Sequence, residues 1–321
     1  MLKKVLRLLF VFACVIASGV TQAFYSPNSN VLAVEPGDIV LQINPAEQTL
    51  DLYPGMTFTG TLKVKNIGRL PFNFNLLSRP YQVKNESYDP DFVTENSYTK
   101  LHNWLSFPET NFHLEPSEEI TVLFNVTVPD DVPGGGQYAA IIVETRDSAD
   151  ENATVRVVSQ VAGLLYAHVA GEEHIGGVLM QHSLPSFLLG SPFTASATVK
   201  NDGNLDFRIR HTLSIKDFFT GNEVLSPETI DPNGDTPGLA TPVVLPATSR
   251  SNSLTWTGAP QLGVFKAVQT VSFLDQEYTF EQIVFICPIW LAGGLLFLVI
   301  LMIIWLILRH RKAKQSRPQA F

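Results

Sequence analysis

Histidine, cysteine and carboxylate side chains, which carry most enzyme and metal chemistry, form no familiar constellation in this sequence. The motifs His-Glu-x-x-His, Gly-x-Ser-x-Gly and Gly-x-x-x-x-Gly-Lys are absent, and the histidines occur one at a time. Residues 134–136 are three glycines that could cradle a phosphate, but such a loop needs a helix behind it, and the apolar residues 138–143 predict a strand. We therefore predict a non-enzymatic protein with no catalytic residue, no metal site and no cofactor.

Aromatic side chains are concentrated in residues 81–113, where they alternate with acidic, amide and hydroxyl residues. An aromatic-rich insertion with polar neighbours is one way in which a β-protein builds a face that stacks sugar rings or holds a peptide. The candidate ligand-binding residues are Tyr88, Tyr98, Trp104 and Phe107. If the two tyrosines stack on a ligand, replacing them should weaken binding and leave stability almost unchanged. The alternative is that Trp104 and Phe107 belong to a short helical plug over one end of the fold.

The segments that must position these side chains come from a module that occurs twice. Identical residues recur at a constant spacing in the two copies: Gly55, Phe58, Thr59, Val64, Lys65, Asn66, Gly68, Leu70 and Phe72 in the first, and Gly190, Phe193, Thr194, Val199, Lys200, Asn201, Gly203, Leu205 and Phe207 in the second. Each unit has the length of one domain and is too long for a solenoid repeat.

The module is predicted to be all-β. Apolar residues fall on every second position in residues 58–66, 72–76 and 120–128, which is the period of a half-buried strand. Residues 66–68 and 201–203 contain Asn and Gly, which favour turns, and we expect a positive φ at Gly68 and Gly203. The fold class that follows is two tandem immunoglobulin-like antiparallel β-sandwiches.

The two ends of the chain predict on which side of a membrane the sandwiches lie. Residues 1–23 have a basic start, an apolar run and small residues before residue 24, as in a secretory signal peptide. Residues 289–308 carry no charge and are long enough to cross a bilayer, and a cluster of basic residues follows them. The positive-inside rule places that tail in the cytoplasm and both sandwiches outside.

The predicted domain order combines these observations. It consists of a signal peptide (1–23), a first β-sandwich (30–170), a linker (171–177), a second β-sandwich (178–285), a transmembrane helix (288–308) and a basic cytoplasmic tail (309–321).

Charge and cysteine content agree with an extracytoplasmic position. The formal net charge is -8, and the basic residues of both ends lie outside the sandwiches, so the outer part is more acidic still. Nucleic acid is therefore disfavoured as a partner, because no basic patch could release phosphate counterions. Cys287 would be the one cysteine left after removal of the signal peptide, so the sandwiches must be stable without disulfide bonds.

Three segments carry a family resemblance: Leu52-Tyr53-Pro54-Gly55, Leu62-Lys63-Val64-Lys65-Asn66, and residues 128–138 with the sequence VPDDVPGGGQY. With the order of signal, two modules, membrane span and basic tail, the chain resembles the WxL-interacting proteins of Gram-positive-type bacterial surfaces. The resemblance implies a first domain associated with peptidoglycan, a second associated with attachment to host proteins, and surface proteins with WxL domains as partners. No residue-level binding motif is carried over.

Two functional hypotheses remain open from the sequence. The first is a single-pass membrane protein of the bacterial surface, an adhesion or anchoring protein that binds cell-wall peptidoglycan or a partner surface protein. The second is an extracytoplasmic assembly factor, similar in outline to pilus chaperones, that uses exposed strand edges to hold other secreted β-proteins. Affinity for purified cell wall favours the first, and co-purification with a strand-donating partner favours the second.

Overall fold

The computed structural model describes residues 39–146, 158–227 and 239–315, without the side chains of residues 292, 295, 296 and 310–315. The predicted signal peptide over residues 1–23 lies outside these ranges. The described chain is mostly β-strand, with one short and one long helix. The all-β prediction is therefore confirmed.

The first half of the chain builds two sheets that face each other. Its elements are β1 (Leu41–Asn44), β2 (Glu47–Leu52), β3 (Thr57–Asn66), β4 (Phe72–Pro80), β5 (Gln82–Val83), β6 (Pro90–Asp91), α1 (Leu101–Trp104), β7 (Leu105–Ser106), β8 (Asn111–Leu114), β9 (Glu119–Thr127), β10 (Gly135–Arg146) and β11 (Gln160–Val169). The sheet orders are β1-β3-β9-β7 and β2-β11-β10-β4-β8, with β5 and β6 as a separate pair. Phenylalanines such as Phe72, Phe74 and Phe124 fill the space between the two sheets and are fully buried.

The second half repeats this arrangement. Its elements are β12 (Gly177–Ser183), β13 (Phe187–Leu188), β14 (Phe193–Asn201), β15 (Phe207–Arg208), β16 (Arg210–Asp217), β17 (Glu223–Leu225), β18 (Leu239–Ala240), β19 (Val243–Val244), β20 (Ser249–Trp256), β21 (Gly263–Phe273), β22 (Gln276–Ile286) and α2 (Ile289–Gln315). The main sheets have the orders β12-β14-β20 and β13-β22-β21-β16-β17. Phe193, Trp256 and Phe265 lie in the core between them.

The sandwiches are not purely antiparallel, which corrects the sequence-based prediction. In each of them the first strand is split, so that β1 and β12 pair in one sheet while β2 and β13 pair parallel with β11 and β22 in the other. Pro45 and Pro185 lie at the two splits. Because proline has no N–H to donate to a ladder, it interrupts pairing there and frees the chain to cross between sheets.

The repeated turns are built on asparagine side chains rather than on glycine φ angles. Positive φ occurs among the described glycines at Gly55, Gly135, Gly171 and Gly221, so the expectation for Gly68 and Gly203 was wrong. Instead, the Oδ1 atoms of Asn66 and Asn201 accept the N–H of Gly68 and Gly203, each at 2.9 Å. The asparagine closes the turn itself, and the glycine does not need a left-handed conformation.

Both asparagines also hold a neighbouring segment. Asn201 Nδ2 donates to the carbonyls of Leu205 and Val244 at 2.7 and 2.9 Å. Asn66 Nδ2 donates to the carbonyls of Leu70 and Leu114 at 2.9 and 3.3 Å. Both side chains have no exposed surface, and these bonds satisfy polar groups that burial would otherwise leave unpaired. The repeated Asn-x-Gly sequence is therefore a structural signature of the module.

The C-terminal helix α2 begins at Ile289, three residues after β22 ends. Its described side chains, from Phe297 to Leu308, are apolar and exposed around the helix. Among the described residues, no helix has the length and apolarity needed to cross a membrane. The transmembrane helix predicted over residues 288–308 is therefore not supported by the structure.

Candidate functional site

The aromatic insertion divides into two parts with different neighbours. In its second part, Leu101 of α1 is completely buried, and Trp104 and Phe107 pack against the core of the first sandwich. The one-turn helix therefore forms the plug that the sequence left as an alternative. Trp104 and Phe107 are half-buried, so most of their ring surface serves packing.

Tyr88 lies where the two sandwiches meet, a region here called the joint. It adopts a φ of 65°, and its hydroxyl oxygen accepts the N–H of Leu245 at 2.7 Å and lies 2.6 Å from Thr248 Oγ1. The guanidinium carbon of Arg250 lies 4.1 Å from the centre of the Tyr88 ring, a cation–π distance. Burial raises the pKa of the Tyr88 hydroxyl. This side chain joins the two sandwiches, so it is not the free surface platform that the sequence suggested.

Tyr98 lies near the same region, but the neighbours described here belong to the first sandwich. Its ring packs beside a mixed aromatic cluster that includes Tyr81, Tyr138 and Tyr166, and its carbonyl accepts the N–H of Tyr138 at 2.7 Å. The four candidate residues are therefore not brought together: Tyr88 and Tyr98 lie near the joint, and Trp104 and Phe107 lie over the first core. A role for them in ligand binding remains a prediction.

The centre of the joint is a buried hydrogen-bonded group that the sequence did not indicate. Tyr138 Oη donates to Asp206 Oδ1 at 2.8 Å and accepts the N–H of Asp206 at 3.1 Å. The same carboxylate oxygen lies 2.9 Å from His168 Nε2. Burial, followed by the nearby Asp206 charge, raises the pKa of Tyr138, so this phenol stays protonated and able to donate. One carboxylate of the second sandwich thus holds two side chains of the first.

The three glycines that could have cradled a phosphate make the adjoining contact. The N–H of Gly136 donates to the carbonyl of Asn204 at 2.7 Å, and Asn204 Nδ2 donates to the carbonyl of Gly134 at 3.3 Å. A Cβ on Gly135 would lie 2.9 Å from the Asn204 carbonyl oxygen, and one on Gly136 would clash with the Tyr138 hydroxyl. Glycine is needed at position 135 because the second sandwich approaches the backbone so closely, and at position 136 because the Tyr138 side chain of the same strand does.

The joint should respond to pH through His168. Its hydrogen bond to Asp206, more than any other effect, raises the pKa of this histidine. A raised pKa contributes stability that is fully present below the unfolded value of about 6.5 and is lost as the pH rises through the folded pKa. We expect the melting temperature of the parent chain to exceed that of His168→Gln at about pH 6, with the difference shrinking by about pH 9.

The buried His211 requires a control, because desolvation lowers its pKa and makes its own contribution fall as the pH falls. It is the same in both proteins, so the difference between parent and variant cancels it. A constant difference between parent and His168→Gln over this range would contradict the role given to the Asp206 hydrogen bond.

Phe92 lines two clefts, one between the sandwiches and one on the first sandwich. The joint cleft, of about 420 Å³, lies between Tyr88, Tyr166, Arg208 and Arg250. Arg208 Nη2 makes an ion pair with Glu47 across the joint at 3.0 Å, so part of its charge is already compensated. The residues that line the joint cleft therefore serve mainly to hold the two sandwiches together.

The second opening, here called the face cleft, lies on the outer face of β4 and β10 and has a volume of about 570 Å³. Its floor includes the aliphatic side chains of Leu77 and Ile142, and Phe92 forms one wall. Charged and polar side chains rim it: Arg79, Lys84, Asp91, Glu95, His102 and Gln160. An apolar floor with convergent polar groups is the usual composition of a binding site.

The wall of the face cleft is held in place by Asp91. Its Oδ1 atom accepts the N–H groups of Val93 and Thr94 at 2.9 and 3.2 Å, and Gln82 Nε2 donates to its Oδ2 atom at 3.2 Å. These bonds, led by the Val93 N–H, lower the pKa of Asp91 to about 2. Glu95 lies 3.2 Å from both Lys100 Nζ and His102 Nε2. The cleft is thus formed in advance and presents charges of both signs to an incoming ligand.

Comparisons with known proteins found similarity to solved structures only. No protein-family model and no curated protein sequence matches it. Among solved structures it is similar to the class 5 fimbriae chaperone CfaA, at 11% identity and a TM-score of 0.37, covering 78% of this chain and 100% of that one. It is also similar to the E. coli chaperone DraB, at 12% identity and a TM-score of 0.35, with 76% and 97% covered. A PapD-like domain of human CEP192 gives 18% identity, a TM-score of 0.29, and 41% and 87% covered.

Proposed function

We propose that this protein is a non-enzymatic, membrane-anchored protein of the bacterial surface. Its first sandwich binds a polar extended ligand, cell-wall glycan or a segment of a partner surface protein, in the face cleft. The observation that carries the proposal is the face cleft itself, whose aliphatic floor, aromatic wall and charged rim are all supplied by the first sandwich. The order of the segments is the one implied by the resemblance to WxL-interacting proteins.

The composition of the face cleft suits a muropeptide or glycan chain. Phe92 offers an apolar ring to the face of a sugar, while Arg79 and Lys84 offer positive charge to peptide carboxylates. Glu95 supplies hydrogen-bond acceptors for hydroxyl and amide groups. No catalytic role is assigned to these residues.

Membrane anchoring is supported by the sequence of α2. Residues 289–308 are free of charge over about 20 positions, which matches the apolar core of a bilayer. Arg309 and the basic residues after it then favour a cytoplasmic end. Exposed apolar side chains around a helix are unfavourable in water, which also supports a lipid environment for α2.

A second candidate function is an extracytoplasmic assembly factor, and the free edge of β20 favours it. This strand ends the sheet order β12-β14-β20, and no described strand pairs with its outer edge. The Ser251 N–H donates to the Glu86 carbonyl at 2.8 Å, so the open part of the edge lies beyond that bond. Unpaired N–H and C=O groups along such an edge can accept a strand from another protein. The two candidates differ in where the partner binds, because the face cleft is on the first sandwich and β20 is on the second.

The test measures binding of solubilised peptidoglycan fragments to the full chain in nanodiscs by calorimetry. We expect Arg79→Ala to weaken binding about tenfold, equivalent to 1.4 kcal/mol, because a charged hydrogen bond to the ligand is lost. Arg69→Ala is the matched control, since it removes another exposed arginine from the same sandwich, at the turn after β3. Both variants should keep the parent's melting temperature.

Each result has a defined consequence. Equal affinity in the parent and Arg79→Ala would remove the face cleft as the binding site. Absence of peptidoglycan binding by the parent would reject the glycan form of the proposal. If the parent then co-purified with a secreted β-protein, and if a charged substitution on β20 abolished that complex, the assembly-factor function would replace it.

A further inference from the structure

The end of the second sandwich opposite the joint carries exposed aromatic and aliphatic side chains. Phe219 is 79% exposed, Leu262 59%, Phe187 55% and Phe285 50%. Together they line an opening of about 460 Å³ whose walls are almost entirely apolar. We call these four residues the apolar end patch. Large apolar side chains grouped in this way on a surface indicate an interaction site.

The position of the patch indicates what covers it. The joint contacts come from residues 204–206, near the end of β14 at Asn201, whereas the patch lies around the opposite ends of β16, β21 and β22. Phe285 is the second-last residue of β22, and α2 starts four residues after it, at Ile289. A chain advances by at most about 3.5 Å per residue, so the patch lies close to the start of the helix.

The turn that carries Phe219 has a defined shape. Asp217 Oδ1 accepts the N–H of Phe219 at 3.1 Å and the N–H of Thr220 at 2.8 Å, and Phe218 N–H donates to the carbonyl of Val264 at 3.0 Å. The backbone N–H of Thr220, first among these partners, lowers the pKa of Asp217. The carboxylate therefore accepts hydrogen bonds from the backbone of its own turn. These bonds hold the turn in a defined shape although the Phe219 side chain on it is exposed.

We propose that the apolar end patch inserts into the lipid surface around the membrane anchor and fixes the orientation of the second sandwich on the bilayer. The inference rests on the proposed anchoring by α2. Phenylalanine and leucine side chains bury favourably at the boundary between headgroups and acyl chains. A sandwich attached to α2 through two residues, Cys287 and Pro288, is held against that boundary. The occupant of the patch is therefore the lipid of the same membrane.

The test uses single cysteines labelled with an environment-sensitive dye in the full chain, with Cys14→Ser and Cys287→Ser as background. Phe219→Cys and Leu262→Cys report on the patch, Leu301→Cys reports on the middle of α2, and Met180→Cys is the control. Met180 is 59% exposed on β12 of the same sandwich and lies outside the patch. The proteins are reconstituted into phosphatidylcholine vesicles that contain lipids spin-labelled near the headgroup or deep in the acyl chain.

We expect both patch labels to lose most of their emission with the shallow spin label and less with the deep one. The Leu301 label should show the reverse order, and the Met180 label should keep its emission in both. If the Leu301 label is quenched but the patch labels are not, α2 spans the membrane and the patch does not touch lipid. If the Leu301 label is not quenched, the anchoring fails and the inference falls with it.

A protein occupant gives a different signature. Patch labels that are shielded from water yet insensitive to both lipid quenchers, while Leu301 is quenched, would show that a second copy or another protein covers the patch. That result would overturn the proposal. All labelled positions are exposed, so the substitutions are not expected to alter folding.

Discussion

Replacing Asn201 by alanine is expected to lower the free energy of unfolding of the second sandwich by about 3 kcal/mol. The substitution removes three hydrogen bonds at once and leaves the carbonyls of Leu205 and Val244 and the N–H of Gly203 without their partner. These groups lie in or beside a fully buried site, so water cannot replace the lost bonds without opening the turn. Chemical denaturation followed by circular dichroism measures the change.

The equivalent change in the first sandwich provides an internal comparison. Asn66→Ala removes the same set of bonds, of which the one to the Leu114 carbonyl is longer, at 3.3 Å, so its cost should be similar or slightly smaller. The exposed Asn103→Ala is the control and should change the unfolding free energy little. Loss of less than about 1 kcal/mol in both buried variants would contradict the structural role assigned to the repeated asparagine.

Removing the Tyr138 hydroxyl is expected to weaken the joint between the sandwiches by about 2 kcal/mol in Tyr138→Phe. Asp206 then loses a donor to its carboxylate and an acceptor for its N–H, while the ring still fills its place. Tyr138→Ala should cost about 4 kcal/mol, because Tyr138 is 1% exposed and the variant leaves a cavity. Thermal unfolding should separate into two transitions in the alanine variant if the joint couples the sandwiches.

Tyr278→Phe is the matched control for the phenylalanine variant. Its hydroxyl donates to Gln276 at the surface at 2.7 Å, so its loss should cost little. A double-mutant cycle between Tyr138→Phe and Asp206→Ala then isolates the pair, and we expect the two losses to be clearly less than additive. Additive losses would mean that the hydroxyl and the carboxylate do not act on each other.

The strands of the fold were predictable because they depend on local sequence. Alternation of apolar residues in residues 58–66 marks β3, and the repeat transfers that assignment to β14. The split first strand was not predictable, because the parallel pair β2–β11 brings together segments more than a hundred positions apart. Nothing in the local sequence of β2 distinguishes a parallel partner from an antiparallel one.

The contacts of the candidate site were harder to predict from the sequence, because they too join segments that are far apart in the chain. Tyr88 and Thr248, or Tyr138 and Asp206, touch only after both sandwiches have folded, and no sequence period relates them. An aromatic-rich insertion therefore predicts that its rings are packed or bind a ligand, but it does not predict which residues they contact. The three glycines at residues 134–136 were a usable signal, since closely spaced glycines outside a helix often mark a close backbone approach.

The split first strand has a mechanical consequence for a chain that is pulled from its two ends. β2, the second part of that strand, and β11, the last strand of the first sandwich, run parallel along the whole of β2. Pulling the chain from both sides drags these strands past each other in opposite directions, so their hydrogen bonds share the load in shear instead of opening one after another. In the second sandwich, β13 makes the corresponding parallel pair with β22 through only Phe187 and Leu188. Under tension, the sandwich nearer the helix should yield first.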